Sequence, residues 1–304
     1  MVQPLGEAAD PDGAASPGAP AARDEPPPIS PATPVVDAEA FNRFEAAGWE
    51  ARAGSYGFLS PMTRRVGGTV LAAAEVATGR QVLDVGSGPG DLAAAAAALG
   101  ADTVGMDVAP SMVRRAAITH PSIPFRVGSF EAIPAGAGAF DAVVGNFVFN
   151  HVGRPQVALA EARRVLRSGG WLAISTWDAP RHNRLLGIML DAVAAAGAAP
   201  PPGLPAGPTN FRADDELRDL LARAGFVDIG ISHLQFHAPV ASPDELWDGV
   251  LESAVRIPPL VTQQPPEVRA RIREAFDRLA EPHRQADGTL AIPVAVQVTR
   301  GRRP

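Results

Sequence analysis

The sequence has no cysteine and no lysine among its 304 residues. Without cysteine, disulfides, thiolate zinc sites, iron–sulfur clusters and a thiol nucleophile are excluded. All 27 basic residues are arginine. A Schiff-base amine is therefore excluded, and so is a phosphate loop of the Gly-Lys type. Positive charge is in short supply as well. The 33 acidic residues outnumber the basic ones, and the net charge is -6. A nucleic-acid partner is not expected, because neutralising phosphates needs a basic face. Long apolar runs are missing. The longest, LAAAAAALG from Leu92, is far shorter than the ~20 residues a membrane helix needs. The first residues, MVQPLGEAADPDGAASPGAP, have no apolar h-region and no basic n-region, so they do not read as a secretory signal. The expectation is a soluble, cytoplasmic protein with no membrane partner.

Residues 1–36 are mostly Ala, Pro, Gly and Asp, with few large apolar side chains. Such a segment cannot bury enough surface to offset its ordering entropy, so a disordered tail is expected. The domain proper is read as 37–304. From Asp37 the pattern is helical, with Phe41, Phe44 and Ala47 on one face and Trp49 close by. Ser60-Pro61 marks a helix start, Ser as N-cap and Pro first, for a helix running to about Val76. After Arg80, strands and helices alternate. QVLDV, DTVGMD, PFRVG, AFDAVVGNFVF and WLAISTW are strands, and DLAAAAAALG, a segment from Pro110 to about Thr119, and VALAEARRVLRSGG are helices. This alternation implies parallel pairing with helices on both faces, a doubly wound α/β sheet. FVDIGISHLQF and TLAIPVAVQVT follow as two further strands, with Pro293 suggesting a bulge or an unpaired position. Helical lid elements are placed at about 37–76, 180–211 and 240–285.

The stretch QVLDVGSGPGD (81–91) has three glycines at alternate positions directly after a buried strand. Glycine there permits positive φ and a close backbone approach to a ligand. The helix that follows offers free N–H groups to an anionic group. A dinucleotide fingerprint requires G-x-G-x-x-G. Gly86 and Gly88 fit, but the third position is Asp91. Asp84, two residues before the first glycine, would repel a pyrophosphate and suits a ligand carrying an ammonium group. The methionine part of S-adenosylmethionine (SAM) is such a ligand.

VLDVGSGPG and the ordered segments after it resemble the class I SAM-dependent methyltransferases, especially small-molecule enzymes similar to the ubiquinone/menaquinone-biosynthesis methyltransferases. The resemblance covers about Asp37 to the C-terminus. It implies a Rossmann-like seven-stranded sheet, order 3-2-1-4-5-7-6, mostly parallel with one antiparallel strand. It also implies SAM as cofactor, held by Asp84, Gly86, Ser87 and Gly88 of the first motif. GMDVAPSM matches the end of the second strand. There Asp107 would bind both ribose hydroxyls, Val108 follows it, and Met112 would pack near the adenine. In GSFEAIP, Ser129 stands where the family usually has Asp against the adenine amino group. A hydroxyl accepts that hydrogen bond more weakly, and the backbone N–H of Phe130 could pair with the ring. FDAVVGNFVFNHV places Asn146 near the methionine part. RRVLRSGGWLAIS and AGFVDIGISHL match the segments around strands five and six. Tyr56, the single tyrosine, corresponds to a position that touches cofactor or substrate in relatives, or else packs ordinarily.

The catalytic candidates follow strands four and five: His151, Asp178 and His182. His151 reads as a general base, or as a side chain that bonds the turn before the next helix. Asp178 and His182 read as substrate contacts, or Asp178 as a helix-starting residue. His233 and His237 read as structural, and His120 and His283 as helix-end residues. Trp49 and Trp177 line an apolar substrate pocket or belong to the core; Trp247 closes or anchors the lid. Asn146, Phe147 and Val148 carry no carboxylate, so no metal site is expected. A Pro-Pro-aromatic motif of the DNA amino-methylating enzymes is absent. The reading is metal-independent methyl transfer to an O or C nucleophile, less so N, of a small apolar or aromatic metabolite. Specialised (secondary) metabolism is the expected setting. Two alternatives stand: an NAD(P)-dependent oxidoreductase, and a methyltransferase-like SAM binder, cyclase or regulatory, without methyl transfer. The oligomeric state, monomer or homodimer, is left open.

Overall fold

The computed structural model describes residues 37–207 and 213–304. The expected disordered tail lies outside the described residues, as do 208–212 of the second lid element. Asp37 caps the first helix, α1 (Ala38–Arg52), its carboxylate accepting from the Ala40 N–H. The buried positions of α1 are Phe41 and Glu45. Ala47, expected on that face, is exposed. The helix presents the 41/45 face inward because Glu45 has a partner there.

Helix α2 (Ser60–Ala73) begins at Ser60, one residue earlier than a Ser N-cap would imply; Leu59 holds the cap position. The Ser60 hydroxyl is used elsewhere. It donates to Asp91 Oδ2 at 3.1 Å and so ties α2 to the start of α3 (Asp91–Ala98). Helix α2 ends three residues before Val76.

The strands are β1 (Gln81–Val85), β2 (Asp102–Asp107), β3 (Phe125–Val127), β4 (Phe140–Asn146), β5 (Leu166–Trp177), β6 (Val227–Val240) and β7 (Leu290–Arg302). They form one sheet in the order β3-β2-β1-β4-β5-β7-β6. The first five are parallel neighbours, and β7 is antiparallel to both β5 and β6. Both the doubly wound class and the strand order match the sequence reading.

Alternation along the strands builds two cores. Val82, Ala142, Val144 and Ala173 face α2, α3, α6 (Arg184–Ala195) and α10 (Pro266–Ala280). Leu83, Val85, Val143, Leu172 and Ile174 face α5 (Pro155–Val165) and α7 (Asp214–Arg223). Helix α4 (Pro110–Thr119) leans on β2 and β3. Helices α8 (Pro243–Ser253) and α9 (Ile257–Thr262) pack on α6. With α10 they form the expected insertion between β6 and β7. Trp247 meets Phe276 edge-on with centroids 5.0 Å apart, so it anchors this insertion internally.

Two boundaries differ from expectation. Helix α5 stops at Val165, and the Arg-Ser-Gly-Gly segment already belongs to β5, where Leu166 pairs with Phe140. Pro293 forms no bulge. It pairs with His237 in unbroken register, past the last β5 partner pair Trp177–Val296. Its missing N–H therefore costs no bond on the β5 side. The irregularity lies instead between Val227 and Gly230.

Candidate active site

Beyond the carboxyl ends of β1, β2 and β4 lies a cavity of about 290 Å³. This is where an open α/β sheet is expected to hold a ligand. Its first wall is the turn after β1. Gly86 and Gly88 have φ +65° and +51°, a region that costs a residue with Cβ about 1–2 kcal/mol. The Ser87 N–H donates to the Met106 carbonyl at 2.9 Å. The Gly88 N–H donates to Asp107 Oδ2 at 2.8 Å. The other Asp107 oxygen accepts from the Ala109 N–H at 2.9 Å. Asp107 thus stitches the glycine turn to the end of β2 and keeps unused lone pairs on both oxygens. Burial pushes its pKa up, against the hydrogen bonds and the nearby His151 ring.

Asp84 is 1% exposed, and its Oδ2 has no hydrogen-bond partner. Burial, and then the charges of Asp107 and Asp91, push its pKa well above the usual carboxylate range, despite a bond from the Ala93 N–H. The buried Ser87 hydroxyl is also unpartnered. Buried polar groups are normally paired, so orphans at a cavity wall call for a ligand. A Cβ built on Gly88 would meet nothing within 4 Å. An acid with one unpaired oxygen, an unpaired hydroxyl and a bare backbone segment fit the amino-acid end of SAM.

The second wall is aromatic and partly charged. Phe147, directly after β4, adopts φ +60° although it is not glycine. Its N–H donates to Ser175 Oγ at 2.9 Å, and its ring stacks on Trp177 at 3.9 Å. A strained residue held by such neighbours marks a site. His151 closes the 3-10 turn Phe149–His151. Its Nδ1 lies 3.0 Å from Oε2 of Glu45, a residue only 2% exposed. Trp49 meets the His151 ring edge-on at 5.0 Å and the Tyr56 ring at 5.8 Å. Burial pushes the Tyr56 hydroxyl up to about 12, so it acts as a neutral donor or acceptor near neutral pH.

Every sequence-predicted site residue except His182 lines this cavity. Asp84, Gly86, Ser87, Gly88, Asp107, Val108, Met112, Ser129, Phe130, Asn146 and Tyr56 are all there, together with His151 and Asp178. Asn146 is held by its own neighbours, donating to the Thr63 carbonyl and accepting from Ser175 Oγ. The Ser129 hydroxyl accepts from the Glu131 N–H. His182 does not line the cavity: the side chain is half exposed and approaches the lining residue Asp178 at 3.3 Å. The chain turns at Ala179, whose carbonyl accepts from the His182 and Asn183 N–H groups, and α6 starts only at Arg184. Asp178 does not start that helix. It accepts from the Ala179 N–H and approaches His233 at 3.8 Å. His233, read as structural, is thus a neighbour of a cavity residue.

The lining residues that were not foreseen include Glu45, Glu131, Asn183 and Arg256. Glu131 accepts from Asn42 Nδ2, the Arg154 N–H and Arg154 Nε. These bonds outweigh the effect of burial and hold its carboxyl below the usual range. They fasten α1 to the start of α5. Sequence offered one signal: Glu45 lies four residues after Phe41, a charge on the apolar side of a helix.

Residues 83–174 match the methyltransferase domain family. The demethylmenaquinone methyltransferase of Renibacterium salmoninarum is 30% identical over 182 residues, which cover 57% of this chain and 77% of that protein. The protein of the same name from Paenarthrobacter aurescens is also 30% identical over 182 residues, with 57% and 72% covered. Among solved structures, the YcgJ protein from Bacillus subtilis shares the fold. Its TM-score is 0.52, with 17% identity, 79% of this chain and 99% of that one covered. Between the dinucleotide and SAM readings of the glycine turn, these relatives decide for SAM. The chain belongs to the class I SAM-dependent methyltransferase family.

Proposed function

We propose that the protein methylates an oxygen or carbon nucleophile of a small apolar or aromatic metabolite of specialised metabolism, by metal-independent in-line displacement, with His151 as general base. The observation that carries this reading is the pairing of His151 with the buried Glu45 in the same cavity as Asp84 and Asp107. Bound SAM supplies an electrophilic methyl carbon on a sulfonium, already a good leaving group. The chain's own residues then need to position the acceptor, exclude water and take up a proton. Glu45 accepts from the Nδ1–H of His151 and thereby fixes the tautomer with Nε2 unprotonated. Nε2 makes no hydrogen bond among the described residues, so it is available to a substrate hydroxyl. Phe147, Trp177, Leu186 and Leu190 give that side an apolar lining. Helices α1 and α6 and the segment between α8 and α9 cover the cavity and keep it dry.

The test is methyl transfer to a panel of phenols, catechols and hydroquinones, read as S-adenosylhomocysteine (SAH) release and as methylated product by mass spectrometry. Activity confined to aliphatic amines would sink the acceptor reading.

Asp107→Ala is expected to weaken SAH binding by about 1–3 kcal/mol, through loss of charge-assisted bonds to the ribose. Unchanged affinity in a calorimetric titration would remove Asp107 from the ribose.

Asp84 makes binding depend on pH. A carboxyl with a raised folded pKa binds its proton more tightly in the folded protein. It therefore favours folding at low pH, and that contribution is lost as pH rises through the folded value. The ammonium group of the cofactor favours the carboxylate. SAH affinity is thus expected to rise with pH up to the raised pKa of Asp84 and to level off above it, changing about tenfold per pH unit below. Asp84→Asn should flatten the profile. A wild-type titration that is flat from the ordinary carboxylate range to neutrality would exclude this linkage.

A further inference from the structure

The carboxylates around the cavity are almost all engaged. Glu45 faces His151, Asp91 accepts from Ser60, Glu131 holds Arg154, Asp107 holds two backbone N–H groups and Asp178 accepts from Ala179. Two carboxylate oxygens are left over: Oδ2 of Asp84, which suits the ammonium end of the cofactor, and Oε1 of Glu45, whose charge acts on Arg52 and Arg256. One cation is left over too. Arg256, between α8 and α9, is the only arginine among the lining residues. It makes no hydrogen bond and no ion pair among the described residues, and its Nε is buried without a partner. Its guanidinium carbon lies 5.4 Å above the ring of Phe41, a contact that uses the face of the group and leaves its in-plane N–H donors free.

A guanidinium held in a cavity wall loses hydration, and burial accordingly pulls its pKa down. The nearest counter-charge is Glu45, which acts on both Arg256 and Arg52 and is itself bonded to His151. One carboxylate thus serves two arginines and a histidine, which leaves an excess of positive charge at this end. Oδ1 of the buried Asn183 side chain, on the same cavity, is unpartnered as well. An amide at a ligand wall can rotate to offer its NH₂. Arg256 stands against Phe41 and Glu45 of α1 and beside Gly207. It is therefore at the His151 end and not at the glycine turn after β1.

We propose that the methyl acceptor carries a carboxylate, or an anionic group of like geometry, which Arg256 binds at the His151 end of the cavity. The inference rests on the reading of that end as the acceptor site. A planar guanidinium accepts a carboxylate through two parallel N–H···O bonds, which would set the acceptor's orientation as well as its affinity. Placed this way, an aromatic acid would lie with its ring among Phe147 and Trp177 and present a ring hydroxyl toward His151.

The test uses SAH-loaded protein and matched pairs of probes: 3,4-dihydroxybenzoate with 3,4-dihydroxybenzamide, and 4-hydroxycinnamate with its amide. Calorimetry is expected to show each acid binding about tenfold or more tighter than its amide. Arg256→Gln should erase that preference, and Arg256→Lys should retain part of it. Arg256→Met keeps the stem over Phe41 and serves if the Gln variant does not fold. SAH affinity should be the same in all of them. Three results would overturn the proposal. The acids could show no preference in the wild type. The preference could survive in Arg256→Gln or Arg256→Met. Or SAH affinity could fall with Arg256, which would assign the guanidinium to the cofactor's own carboxylate. Methyl transfer separates the two levels of the argument. Equal methylation of acids and amides upholds the general function and overturns the Arg256 assignment. Preferred binding of acids without methylation upholds the assignment and sinks His151 as the base.

Discussion

His151→Ala is expected to lower kcat by about 10²–10⁴-fold while SAH affinity stays unchanged. The magnitude is what a positioned base contributes to a proton transfer. The separation from binding follows from geometry. His151 is fixed by Glu45 at 3.0 Å and by the edge of Trp49, and neither contact involves the glycine turn proposed to hold the cofactor. A merely structural histidine would give a different pattern, with lower melting temperature and weaker SAH binding but kcat nearly retained. Two further readouts separate the cases. Added imidazole should restore part of the activity of His151→Ala, because the deleted ring leaves a space beside an intact Glu45 carboxylate. Glu45→Gln should lower kcat by about ten- to hundredfold, the equivalent of one hydrogen bond to a charged group. It also removes the counter-charge shared by Arg52 and Arg256, so some loss of stability is expected with it. No imidazole rescue, together with a kcat loss below about tenfold, would leave His151 as the residue that closes the turn before α5.

The two ends of the cavity differed in how far they could be read from sequence. At the cofactor end, each residue lies within a few positions of a strand terminus. Strand–turn–helix periodicity locates that terminus, and the residue type then follows from the ligand chemistry. Asp84, Gly86, Gly88 and Asp107 were placed on one cavity wall for this reason, with the family resemblance supplying Asp107. The acceptor end is assembled from segments far apart in the chain. Glu45 and His151 are 106 positions apart and meet only because α1 crosses the sheet end. Arg256 arrives from the insertion between β6 and β7, where helical periodicity locates helices but not which loop residue faces inward. His182 was read with Asp178 because both follow strand five. The chain bends through Pro180 before α6, and the side chain does not line the cavity. Alternation of strands and helices gave the doubly wound class, while the strand order came from the family resemblance, and both hold. Strand and helix limits were less legible, because the Arg167 to Gly170 segment joins β5 through tertiary contact, Gly169 and Gly170 bonding Arg303, against local preference.

The glycine turn permits a comparison in which two alanine substitutions, two residues apart, fail in different ways. Both positions need positive φ, so each pays about 1–2 kcal/mol for a Cβ. At Gly86 the added Cβ would fall within the side chain of Val148, which is packed against the end of β1. Overpacking of that kind costs about 1–3 kcal/mol more. Gly86→Ala is therefore expected to lose about 2–5 kcal/mol of stability, or roughly 5–15 °C in Tm for a domain of this size. Loss of SAH binding would follow from displacement of the turn. At Gly88 the Cβ meets nothing within 4 Å and stands in the cavity itself. Gly88→Ala should cost stability only through its φ, about 1–2 kcal/mol, yet weaken SAH binding at least as much as Gly86→Ala does. Thermal unfolding with and without SAH measures both quantities on one sample. If Gly88→Ala bound SAH with wild-type affinity, the open space at residue 88 would not be cofactor space. The methionine end would then have to lie along Asn146, outside the turn.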